Sequence, residues 1–258
     1  MPDLPVAEIE RIFRAEHGRA VAVLIRAYGD IDMAEEAVQD AFLEAVQRWP
    51  SSGLPPSPAG WIITAARNRA IDRLRSVLAV VYLIFNEGYT ASSGDRVVRE
   101  DLCAEGIRLG RLLRELMPRE PEVSGLLALM LLIDSRRAAD GQLVLLADQD
   151  RALWDRDLIA EGHALTRLCI AGNRPGPYQM QAAINAVHSG ATSVGATDWA
   201  QILRLYDQLV ALAPSPVAAL NRAVAVAEVR GPQEALARSD NTAEKSFLQR
   251  RRQALDDS

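Results

Sequence analysis

Lysine is almost absent from this chain of 258 residues: Lys245 is the single lysine among 29 basic side chains. Aromatics make up only 5%, and there are two cysteines and three histidines. Each scarcity excludes something. Cys103 and Cys169 lie far apart and fit neither a disulfide framework nor a metal spacing, so a reducing cytoplasm is the expected compartment. His17, His163 and His188 have no helix-spaced His, Cys or carboxylate partners, so no metal and no cofactor are expected. No Gly-x-Ser-x-Gly elbow, P-loop or dinucleotide fingerprint occurs, and the chain reads as a non-enzyme. The longest apolar run, Val77 to Phe85, is nine residues, about half a membrane span. Met1-Pro2-Asp3-Leu4 lacks the basic start of a signal peptide. No membrane partner is therefore expected. A net charge of −5 excludes a wholly basic nucleic-acid binder but not a local basic patch.

What the chain has is alanine, leucine and arginine, the strongest helix formers. The expected fold is all-α. Apolar positions from Ile9 to Tyr28 recur at helical spacing, and Gly29-Asp30 breaks them. Asp32 and Glu35 resemble a capping box opening the next helix, which Pro50 is expected to end. Ser51 to Pro58 is rich in proline and serine and reads as a loop. Ser57-Pro58 starts a helix reaching about Ser76.

From Val77 the character changes. Val77 to Glu87 is apolar, with Gly88 read as a C-cap. Helices follow at 98–117, 123–137, 158–171 and 177–189, and residues 143–146 fit a short strand or helix equally. Trp199 to Ala237 repeats a helix-turn pattern that resembles the tetratricopeptide (TPR) spacing. Pro214-Ser215-Pro216 lies between its helices, Glu234-Ala235-Leu236 opens another, and the tail from Arg250 is polar. Asp148, Arg151 and Trp154 fit a structural hydrogen-bonding role, since the acids from Asp148 to Asp157 lack calcium-loop spacing.

Two neighbouring helices have opposite charge. Residues 60–76 hold four arginines and one aspartate. At 100° per residue, Ile62, Ile63, Ala66, Ala70 and Leu74 fall on one side, with Trp61, Thr64, Asn68, Asp72 and Arg75 opposite. Arginines meet phosphates, asparagine reads base edges, and an aromatic stacks on an unpaired base. A solvated amphipathic helix has the same pattern. Between Asp30 and Glu44 stand six acids and no base. That face suits a basic protein surface, or solvent alone.

The run Asp32-Met-Ala-Glu-Glu-Ala-Val-Gln39-Asp40-Ala-Phe42, then Trp49, then Gly60-Trp61 through Arg67-Asn68-Arg69 to Asp72-Arg73-Leu-Arg75, resembles region two of the bacterial extracytoplasmic-function (ECF) sigma factors. Tyr82-Leu-Ile-Phe85, Asp148 to Trp154, Gly176-Pro-Tyr178, Thr197-Asp198-Trp199 and Leu220-Asn221-Arg222 resemble an ECF subgroup with a C-terminal TPR-like extension. The resemblance implies two modules, residues 1–76 and 77–258. It implies that Glu36, Gln39, Asp40 and Glu44 dock on the clamp helices of the largest subunit of RNA polymerase core. It implies that the loop around Ser57 holds a base flipped from the promoter's minus-ten element. Trp61, Asn68, Arg69, Asp72, Arg73 and Arg75 would contact the non-template strand of that promoter DNA. The extension would regulate in cis. Stacked helical repeats present concave surfaces, which suits a protein partner on a face holding Tyr178, Gln181, Asn185, Asn221 and Arg222, though Tyr178 and Asn221 fit helix packing equally.

The upstream reader of such factors, region four, belongs between Arg75 and Tyr82. Here Ser76 runs straight into Val77, and no helix-turn-helix pattern occurs. Either the region is absent or the sequence has closed gaps there. If absent, the alternative is a helical-repeat scaffold or antagonist that binds polymerase without initiating.

Overall fold

A computed structural model describes residues 6–89, 99–137, 146, 148–231 and 233–234. The described residues are helical, without strands: α1 Val6–Tyr28, α2 Ile31–Ser52, α3 Pro58–Tyr89, α4 Glu100–Leu116, α5 Pro121–Asp134, α6 Arg156–Ala171, α7 Pro177–Gly190, α8 Trp199–Leu212 and α9 Pro216–Arg230, with 3-10 turns at 151–153 and 194–196. Two compact units emerge, Met1–Val81 with Glu115–Glu120, and Tyr82–Arg114 with Pro121–Ser258. The division falls inside α3. The possible strand at 143–146, the helix opening at Glu234-Ala235-Leu236 and the polar tail lie wholly or mostly outside the described residues.

The first unit is built on small side chains. Ala34, Ala37, Ala41 and Ala45 of α2 and Ala66 and Ala70 of α3 are fully buried. They share one core with Ile9, Leu24, Trp49 and Ile62. Phe13 of α1 lies against Phe42, ring centroids 3.8 Å apart. Burying an aliphatic or aromatic side chain of this kind contributes about 1.5–3 kcal/mol.

Three local expectations are corrected. Asp30, not Asp32, caps α2: its carboxylate accepts from Met33 N at 2.9 Å. Pro50 does not end α2, which runs on to Ser52. A proline in a last turn forfeits only one helical bond. The turn is held by Gly53 N donating to Trp49 O at 2.9 Å and by Ser51 and Ser52 hydroxyls donating to Arg48 O at 3.1 and 2.9 Å. Nor does a helix end near Ser76. α3 continues through Ser76–Val77 to Tyr89 because buried Leu74, Leu78, Val81 and Phe85 keep the helical spacing and no proline or glycine stands between Ser76 and Glu87. Gly88 is accordingly inside α3 rather than a C-cap. A Cβ there would lie 2.5 Å from Cys103 N and 2.8 Å from Arg99 O, so it is glycine because α4 begins against its backbone.

The second unit centres on α5. Val123 through Leu132 are all buried, the pattern of a helix surrounded by protein rather than of a surface helix. α6 and α7 pack on it, α8 on α7 and α9 on α8. At Gly125 a Cβ would come within 2.8 Å of Gln179 N, so glycine sets the close approach of α5 and α7. α7 has no side-chain cap of its own. Glu122 of α5 supplies one, accepting from Tyr178 N and Gln179 N, each at 3.2 Å, and from Gln179 Nε2 at 3.0 Å. A carboxylate at a helix N-terminus also meets the positive end of its dipole. Ser215 caps α9 from Ala218 N at 3.1 Å, as its spacing predicts.

Candidate functional site

In the first unit the two charged faces prove to be one. Arg73 of α3 bonds Asp40 of α2 at 2.8 Å and also pairs with Glu36. Arg69 bonds Glu44 at 3.0 Å, and Arg48 meets the same carboxylate at 3.0 Å. All three acids among the four residues expected to face a protein thus hold two of the arginines expected to face phosphate. Gln39 is exposed on α2 without joining the ladder. Arg75 turns to Asp72 at 3.8 Å, both well exposed. The ladder is only partly buried, with Arg73 and Asp40 each 34% exposed and Glu44 17%.

Trp61 is half-buried, not on a fully open face. It packs on the core and stands edge-on to Trp49, centroids 5.2 Å apart. Thr64, Asn68 and Asp72 are exposed. Ser57 starts α3 as the sequence predicts, its hydroxyl accepting from Gly60 N at 3.3 Å. Between the end of α2 and the start of α3 lies a hollow of about 490 Å³, lined by Arg48, Trp49, Ser51 to Pro56 and Trp61. Trp49 Nε1 is buried and has no hydrogen-bond partner among the described residues. A smaller groove of about 290 Å³ joins Arg48, Trp61, Asn68, Arg69 and Asp72. Ser57 itself is not part of either lining. Arg48 and Trp49 were not anticipated as site residues. Arg48 stands one helical turn from Glu44, and that spacing was the available signal.

The second unit has a cleft of about 770 Å³. Of the residues expected on a concave face, Gln181, Asn185 and Asn221 line it. Tyr178 and Arg222 do not: Tyr178 packs edge-on to Tyr82 at 5.6 Å, and Arg222 pairs with Asp207 at 2.6 Å. The cleft adds Tyr82, Tyr206, Arg136 and His188, which sequence reasoning did not single out as a site. Arg136 donates through Nε to Leu132 O at 3.0 Å and through Nη2 to Asn185. Burial lowers its pKa. Burial, helped by Arg136 and Arg151, brings His188 down to about 4, so its ring is neutral near pH 7. Burial pushes the Tyr206 hydroxyl, bonded to Asn221, up to about 12. Arg151 has the structural role expected of it. It donates to His188 O at 2.7 Å and Ala191 O at 2.9 Å, and lies 4.6 Å over the Trp154 ring.

Among the described residues no group of three His, Cys, Asp or Glu is placed to hold a metal ion. No described helix is long and apolar enough to cross a membrane.

Comparison with known proteins gives two family matches. Residues 12–77 match Sigma-70 region 2, and residues 73–169 match a family of unknown function, DUF6596. The chain is 44% identical over 241 residues to an uncharacterized protein, R00370, of Rhizobium meliloti (strain 1021). The aligned part covers 92% of this chain and 55% of that protein. No solved structure matches.

Proposed function

The chain carries a sigma-70 region 2 domain followed by a DUF6596 domain, an arrangement consistent with an ECF-like sigma factor bearing a C-terminal extension, and we propose that it binds RNA polymerase core and directs initiation at specific promoters. The domain points to a transcription factor rather than an enzyme. A cytoplasmic location goes with that reading.

The observation that carries it is the hollow beside α3. Base capture needs a recess, an aromatic wall and a polar group to read the base edge. The recess is bounded by the loop after α2, with Trp49 and Trp61 in its lining and Arg48, Ser51 and Ser52 as polar groups. Asn68, Arg69, Asp72 and Arg73 continue along α3 from there, in position to track a single strand, with Arg75 at the end of the row. Glu36, Asp40 and Glu44, with Gln39 beside them, would exchange their arginine partners for the clamp helices of the largest subunit. The second unit, read as TPR-like from its sequence spacing, would regulate this activity and bind a further protein.

The test is transcription by purified core with the full chain on a promoter library. Specific transcripts lost with Asn68→Ala and Arg73→Ala are expected. Core binding without any transcript would instead favour a scaffold or antagonist. The unbroken course of α3 through Ser76–Val77, with no region four between, favours that second reading.

A further inference from the structure

The cleft of the second unit has a charge imbalance. Among the described residues its lining includes Arg136 and His188 but no aspartate or glutamate. Arg136 is only partly exposed. Its donors go to a backbone carbonyl and an amide oxygen, and no carboxylate pairs with it among the described residues. A guanidinium held away from water without a counter-charge is destabilising, and removal of the cost by an anion is correspondingly favourable. Arg151, engaged with His188 O and Ala191 O, adds positive field without occupying the space.

The rest of the lining limits the partner. Tyr82 and Tyr206 line the cleft, their hydroxyls tied to Asn86 and Asn221. Gln181 adds an amide. The volume of about 770 Å³ lies within the roughly 300–1,000 Å³ of small-molecule sites. The geometry points to a binding site for a small ring-bearing carboxylate, its charge on Arg136 and its ring against Tyr82 and Tyr206. The first unit takes no part, so this site stands or falls independently of the polymerase reading.

The full chain is titrated calorimetrically with benzoate, with benzamide, which keeps the shape but lacks the charge, and with phenyl phosphate. Benzoate is expected to bind saturably and at least tenfold more tightly than benzamide. Arg136→Gln should weaken benzoate at least tenfold. Tyr206→Phe removes only the hydroxyl bonded to Asn221 and should weaken it severalfold. If Arg136→Gln does not fold, Tyr206→Phe and Asn221→Ala carry the test. Absence of benzoate binding, equal binding of benzoate and benzamide, or benzoate binding unmoved by the variants that fold would overturn the site. Phenyl phosphate binding more tightly than benzoate would overturn the carboxylate assignment.

Discussion

Arg73 cannot serve Asp40 and Glu36 and a DNA phosphate at the same time. Neutralising both acids, Glu36→Gln with Asp40→Asn, should therefore raise affinity for single-stranded DNA. Partly exposed pairs of this kind are worth about 0.2–1 kcal/mol each, so two of them amount to about 0.4–2 kcal/mol, a roughly twofold to thirtyfold tighter complex. Removing two negative charges also changes the long-range field. Asp32→Asn with Glu35→Gln removes the same charge from the same helix without touching the ladder, and serves as the control. The assay is fluorescence anisotropy of a labelled single strand with the full chain, at low salt and near physiological ionic strength, where the Debye length is about 8 Å. The Glu36/Asp40 variant should exceed the control, and its excess should vanish in an Arg73→Ala background. Equal gains in the two variants, or a gain surviving Arg73→Ala, would refute competition for Arg73.

Three further outcomes are expected. Glu122→Ala strips the α7 N-terminus of its cap and should cost about 2 kcal/mol by urea unfolding, with Glu122→Gln recovering part of the loss. His188 is neutral in folded and unfolded chains above pH 7; as pH falls, the unfolded chain binds the proton first, near pH 6.5, while the folded ring resists to about 4. Stability should be lost across that window by about 1–3 kcal/mol, and the loss should be absent from His188→Gln. Cys103 and Cys169 are buried, and burial raises both thiols to about 11. Neither should react with Ellman's reagent at pH 8 until denaturant is added.

Much of the architecture was legible because helices announce themselves singly. Ser57 and Ser215 starts, the buried stripe of Ile62, Ala66, Ala70 and Leu74, and the α5 to α8 spans all follow from periodicity and capping. Pro50 and Ser76–Val77 misled, since a local breaker or composition change was weighed without the packing that overrides it. The ladder was invisible for another reason. Arg73 and Asp40 are 33 residues apart, and periodicity reports one helix's faces without saying which face meets which. The cleft collects residues from α3, α5, α7, α8 and α9, a convergence no local pattern encodes.

The alanines beneath the ladder have a consequence for how the site can vary. Ala37, Ala41 and Ala45 of α2 and Ala66 and Ala70 of α3 carry no polar atom, yet the spacing they permit decides whether a guanidinium on one helix reaches a carboxylate on the other. Enlarging one, Ala41→Val for instance, introduces bulk where none fits. The charge pattern would stay intact in sequence while its reach was lost in space. The salt response of the surface is thus written partly in its least reactive side chains.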